Sequence, residues 1–171
     1  MYTGGRLNEI AQASVKDIKQ IDGIWCISIT DEAEHQKLKN ANSARIIPIH
    51  QHLIDLGFIE YVQSRASKTL LFDDLLNSKA EVPRDGLGSN VGKWFNRFIK
   101  RLEIHNAVFH SFRHTVADEF KQNEVPETQA MDILGHKNQS ITYARYAKDL
   151  NVATQQKTIQ TLDFSNVIQN I

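Results

Sequence analysis

His110-Ser111-Phe112-Arg113-His114-Thr115 opens the stretch that says most about this chain. From Ser111 to Asn123, Phe112, Val116 and Phe120 recur every fourth position, the spacing of one buried helical face. Working outward, Pro126 stands where a next helix starts, and Gly135 stands where it ends. Ile141 to Leu150 and Val152 to Leu162 read as two short final helices. Upstream, Val91 to Leu102 reads as an amphipathic helix. Trp94, Phe95, Phe98, Ile99 and Leu102 form its apolar side, and Lys93, Arg97, Lys100 and Arg101 the other. Before it, 82–90 holds the clearest loop composition of the chain.

The first half reads differently. Thr3 to Ser14 fits a helix with Leu7, Ile10, Ala11 and Ser14 on one face. Asp22-Gly23 is a turn signal, and Ile24 to Thr30 is β-branched and alternating. A second strand is expected near His35 to Lys39. Arg45-Ile46-Ile47-Pro48-Ile49 reads as a third, with Pro48 placing it at a sheet edge. Gln51 to Gln63 is loosely helical, and Lys68 to Phe72 fits a short buried strand. The expectation is an α+β fold, mostly helical, with helices around a small three-stranded antiparallel sheet.

With 171 residues, 41% apolar and 23% charged, the chain suits one globular domain. No apolar run reaches the roughly 20 residues of a membrane span, and no signal peptide is visible. Cys26, the single cysteine, lies in the apolar run Ile24 to Ile29 and reads as a buried thiol in a reducing cytoplasm. The 20 basic and 20 acidic residues balance, which argues against a binder held by bulk charge. The basic charge is nevertheless uneven. Lys93, Arg97, Lys100, Arg101 and Arg113 stand against Glu103 alone in their stretch.

Two motifs raise the reading above generic helices: His110-Ser111-Phe112-Arg113, and Leu134-Gly135-His136 followed by Tyr146 in Arg145-Tyr146-Ala147-Lys148. Together they resemble the boxes of the tyrosine recombinase (phage integrase) family. Two more matches lie upstream in the family's order. Tyr2-Thr3-Gly4-Gly5-Arg6-Leu7-Asn8-Glu9-Ile10 resembles the first arginine box, and Leu38 to Pro48 resembles the β-hairpin lysine box. Each box alone is a weak signal; four in order are a strong one.

The resemblance implies a catalytic domain that cuts and rejoins DNA through a 3′-phosphotyrosine, in integration or excision of a mobile element. Arg6 and Arg113 would clamp the non-bridging phosphate oxygens with forked, permanently charged donors. His110 and His136 would hydrogen-bond the phosphate and assist proton transfer. Tyr146 would be the nucleophile, and Lys39 the acid protonating the departing 5′-oxygen. Glu9 would support Arg6. Lys93, Arg97, Lys100 and Arg101 would contact DNA phosphates. No metal and no cofactor is called for. The implied partners are double-stranded DNA and other recombinase subunits, as a tetramer on DNA joined through the tail. The implied setting is the cytoplasm of a prokaryotic cell, with the chain encoded by the cell or by a phage.

Plainer readings compete. Lys37 lies two residues before Lys39, and Tyr143 three before Tyr146. His110 and His114, four apart, have the spacing of a zinc pair, but no cysteine pair accompanies them. The basic face of 91–102 is, in an arbitrary protein, only a solvated surface. A truncated DNA-binding relic or regulator on the same fold remains the alternative function. Family members carry an N-terminal DNA-clamping domain, and this chain starts inside the first arginine box. That domain and the opening helix are expected to be missing, with weak binding and poor recombination as the result. Val152, Ile159, Leu162, Phe164, Val167 and Ile168 offer apolar surface for docking in cis or in trans.

Overall fold

Asp22 and Gly23 both adopt positive φ, 50° and 78°, the backbone that a tight hairpin between right-twisted strands requires. In the computed structural model this hairpin joins β1 (Ile18–Ile21) to β2 (Ile24–Ile29), with Ile21 facing Ile24. The structure describes residues 1–40, 43–77, 79, 81–136 and 151–165. Strand β3 (Arg45–Pro48) pairs antiparallel with β2, Ile27 opposite Ile47, and the strand order is β1-β2-β3. Pro48 is thus on an edge strand, as its missing N–H demands.

The expected sheet forms, but from a different set of strands. The segment near His35–Lys39 is irregular, and β1 takes its place. Gln36 explains why: its side-chain amide donates to Asp17 at 2.6 Å, while its backbone N–H goes to Ala33. Gln12 grips the backbone of Lys37 on both sides, at 3.0 Å each. Side chains thus satisfy backbone groups that a strand would have paired.

Helix α1 (Leu7–Ala11) is shorter than the sequence suggests. Gly4 turns the chain before it with φ 55°, and Leu134 Cδ2 would lie only 2.6 Å from a Cβ at that position. After it, Ala13 accepts from Leu71 N and Ser14 bridges to Leu70, so the chain leaves the helix to meet 69–71. That bridge is all that forms of the strand expected over 68–72, although Leu71 is fully buried. The helix expected over 51–63 is broken into α2 (Gln51–Asp55) and α3 (Phe58–Ser64) at Gly57, φ 84°.

Four further helices follow among the described residues: α4 (Ser89–Arg101), α5 (Ser111–Gln122), α6 (Glu127–Leu134) and α7 (Val152–Ile159). Pro126 precedes α6 and Gly135 closes it with φ 68°, as expected. Residues 141–150 lie outside the described residues. Val116, Phe120, Ile133 and Leu134 bury against Ile27, Ile29 and Ile47 of the sheet. Burying a side chain of this size contributes roughly 1.5–3 kcal/mol. Cys26 is also fully buried, and burial pushes its thiol up to about 11.

Helix α4 departs from its expected packing. Ile99 is buried, and Phe95 meets Phe109 and Phe112 with ring centroids 5.4 and 5.3 Å apart. Trp94, Phe98 and Leu102 are exposed instead, and Trp94 stacks on Phe98 at 5.3 Å. Three of the five apolar residues expected on its packed side therefore face outward. The tail behaves otherwise. Ile159, Leu162 and Phe164 pack into this chain's own core, and Phe164 touches the Tyr2 ring. For those three residues docking is in cis; Val167 and Ile168 lie outside the described residues. Among the described residues no helix is long and apolar enough to cross a membrane.

Candidate active site

Arg6 sits at the N-terminal cap of α1 because Glu9, three residues on, folds back to it. Glu9 accepts from the Arg6 backbone N–H at 3.0 Å and from Arg6 Nη1 at 2.5 Å. The Arg6 side chain remains 27% exposed, with most of its donors free to meet a ligand. Glu9 is itself buried and also accepts from Arg45 Nη2 at 2.8 Å. Burial alone would raise its carboxyl, but the bond and charge of Arg45, joined by Arg6, hold it below the usual range.

Arg113 lies in the first turn of α5 and is buried. Its Nη1 donates to Gly4 O at 2.6 Å, and its Nη2 donates to Leu134 O. One guanidinium therefore fastens the turn before Arg6 to the end of α6, joining three boxes far apart in sequence. A guanidinium has five N–H donors, so two carbonyls leave capacity for an anion. Beside it lies an apolar cavity of about 450 Å³, walled by Ile10, Ile27, Ile49 and Phe112. Burial, then repulsion from Arg6 and Arg45, pushes Arg113 down to about 10, still cationic at neutral pH.

His110 precedes α5 and His136 follows Gly135, so each is presented at a helix end. Both are lowered from the ordinary imidazole range. For His110 the causes are burial, then His114, Arg113 and Arg6; for His136 they are burial, then Arg113, Arg6, Arg45 and His110. The geometric link is Arg113: its side chain bonds Gly4 O and Leu134 O, and its backbone N–H bonds His110 O at 3.0 Å, so the segments that carry Arg6, His110 and His136 meet at this residue. Neutral imidazoles there can accept a proton. The His110 and His114 rings meet edge to face at 5.0 Å, and among the described residues no group of three or more His, Cys, Asp or Glu has metal-binding geometry.

The histidine shifts predict a pH dependence of stability. A depressed folded pKa means the unfolded chain takes up the proton first as pH falls. The contribution of His136 is therefore full above the unfolded value near 6.5. It is lost as pH drops from there through the lower folded value. Urea midpoints measured from pH 8 to 5 should fall on the acid side, and His136→Asn should flatten part of that fall. An unchanged profile in the variant would contradict the assignment.

Lys39 is exposed on the loop between β2 and β3, and among the described residues it takes part in none of the contacts that join the cluster. The Lys37 side chain is also exposed, with its backbone held by Gln12. Tyr143 and Tyr146 lie outside the described residues. Lys93, Arg97, Lys100 and Arg101 are all exposed on α4, and Lys93 approaches Asp85 only at 3.8 Å. Trp94, Arg97, Lys100 and Arg101 line a shallow groove together. Sequence reasoning gave no role to two residues close to the cluster: Gly4, whose carbonyl holds Arg113, and Arg45. Both stand inside the quoted boxes, but only tertiary structure gives them meaning.

The chain matches the Phage integrase family model over residues 1–151. It is 30% identical over 153 residues to a "Tyrosine recombinase XerC-like" protein of Caldanaerobacter subterraneus subsp. tengcongensis, covering 80% of this chain and 38% of that protein. Among solved structures it resembles the XerH site-specific recombinase bound to difH substrate in a pre-cleavage complex. The TM-score is 0.55 and the identity 21%, over 99% of this chain and 42% of that one. The post-cleavage complex of XerH on palindromic difH gives the same TM-score at 19% identity. The chain spans less than half the length of these proteins, and the likeness to XerH is one of fold. With the family model matched over most of its residues, the chain belongs to the phage integrase family.

Proposed function

We propose that this chain carries the strand-cleaving and strand-joining centre of a site-specific DNA recombinase. One observation supports the reading: the buried Arg113 bonds both Gly4 O, two residues before Arg6, and Leu134 O, two residues before His136, while His110 stands just ahead of it at the start of the same helix. A phosphodiester is an anion whose non-bridging oxygens gain charge during attack, and forked cationic donors stabilise that charge. Tyr146 attacks phosphorus through its phenol oxygen. The P–Oη bond forms, the P–O5′ bond breaks, and the 3′-phosphotyrosyl ester retains the phosphate. The phenol proton passes to a neutral imidazole, His110 or His136, and Lys39 protonates the departing 5′-oxygen. A second DNA 5′-hydroxyl reverses the step, so exchange needs neither ATP nor metal. Double-stranded DNA is the substrate, with other recombinase subunits as partners on it.

The test is incubation of the chain with nicked suicide duplex, followed by a denaturing gel. A DNA–protein adduct supports the reading. DNA binding without an adduct would instead make this a non-catalytic DNA-binding chain. The basic face of α4 gives a second check. Replacing Arg97 and Arg101 by glutamine should reduce the slope of log K against log salt by about 0.9 for each phosphate no longer neutralised. An unchanged slope would leave α4 a solvated surface.

A further inference from the structure

We propose that Arg45 is a positioning residue that holds Arg6 through Glu9 and holds His136 through the last turn of α6. The proposal rests on the reading of Arg6, Arg113 and His136 as phosphate ligands. The Arg45 side chain, only 7% exposed at the start of β3, makes three bonds of 2.8 Å. Nε donates to Ile133 O, Nη1 to Ser43 O, and Nη2 to Glu9 Oε2. A Cβ on Gly135 would come within 2.7 Å of Arg45 Nη1, so the guanidinium lies against the left-handed residue that precedes His136. With each of its three nitrogens already bonded to the protein, Arg45 has fewer donors left for a phosphate than Arg6 or Arg113.

Its effect is electrostatic as well as geometric. A buried carboxylate facing Arg6 alone would cancel the charge that a phosphate needs. With Arg45 on the second oxygen, Glu9 and Arg45 form a neutral pair, and the positive charge of Arg6 remains available to a ligand. Arg45 pins Glu9 Oε2, so Oε1 is left aimed at Arg6 Nη1. The same side chain fixes the Ile133 carbonyl beside the Leu134 carbonyl that Arg113 holds. One arginine thus couples the start of β3 to both helix ends that present the candidate ligands.

The test compares the whole chain with Arg45→Met and Arg45→Lys, reading Arg6 Nε–H and His136 ring resonances by NMR alongside adduct formation on nicked duplex. In Arg45→Met the Arg6 Nε–H should exchange with solvent about tenfold faster. The rate at saturating DNA should fall roughly 10- to 100-fold, as when a ligand's supporting partner is removed, with much less change in DNA affinity. Arg45→Lys should recover part of both, because an ammonium reaches Glu9 but not all three acceptors. Should Arg45→Met fail to fold, Arg45→Lys decides alone. Parent-like Arg6 exchange and parent-like saturating rate in a folded variant would overturn the proposal. A parent chain that forms no adduct would overturn the catalytic reading, and the Arg6 and His136 signals would still decide the role of Arg45.

Discussion

Tyr146→Phe should abolish covalent capture of nicked duplex, while Tyr143→Phe should retain it. The substitution removes one oxygen and little else, so a folded protein with Arg6 and Arg113 in place is expected. What disappears is the oxygen proposed to bond to phosphorus. Enzymes stripped of their nucleophile lose on the order of 10⁶-fold in rate, which here means no band on the gel. A phenol ordinarily has a pKa of about 10, so a tyrosine nucleophile in general needs a nearby base. Under the proposed mechanism that base would be His110 or His136, both lowered from the ordinary imidazole range by burial and by neighbouring positive charge. The two tyrosines are three residues apart, so each is a fair control for the other. Capture lost in Tyr143→Phe and kept in Tyr146→Phe would reverse the assignment.

Arg113→Ala is expected to damage both fold and chemistry. Two carbonyls, Gly4 O and Leu134 O, lose their donor in a buried setting. An unsatisfied buried polar group costs about 1–3 kcal/mol, so a fall in stability of roughly 2–6 kcal/mol is expected before any catalytic effect. Arg113→Lys separates the two roles. It keeps a cation near the cleft but lacks the fork that spans both carbonyls. Urea unfolding should place the lysine variant between parent and alanine. Its adduct rate should fall about 10²–10³-fold, the usual effect of losing one preorganised donor. An alanine variant as stable as the parent would show that the two carbonyl bonds contribute little.

Helix α5 was legible in the sequence because Phe112, Val116 and Phe120 repeat at helical spacing, and the bounds of α6 because Pro126 and Gly135 are strong local signals. Strand β1 escaped because Lys19 and Gln20 at its centre are polar and exposed, so no alternation shows. The strand expected near His35–Lys39 failed because Gln12, Asp17 and Gln36 satisfy that backbone and side chain locally. Arg6, His110, Arg113 and His136 were singled out together through the order of the family boxes. The role of Arg45 was not, because its partners Glu9 and Ile133 are 36 and 88 positions away. Sequence pattern reports periodicity along an element; it is blind to which buried carbonyl a distant guanidinium will find. The exposed Trp94 and Phe98 make the same point in reverse, since an apolar face in sequence does not say what covers it.

Pro48 also bears on how copies of this chain can meet. It is fully buried on the outer strand of the sheet, and α6 and α7 both contact that strand. A proline offers no amide hydrogen to an incoming chain, so this flank is a poor template for a foreign β-segment to join. Cross-β growth, a hazard for any short sheet with an open side, is therefore disfavoured along β3, and misassembly between copies would have to begin at β1 instead.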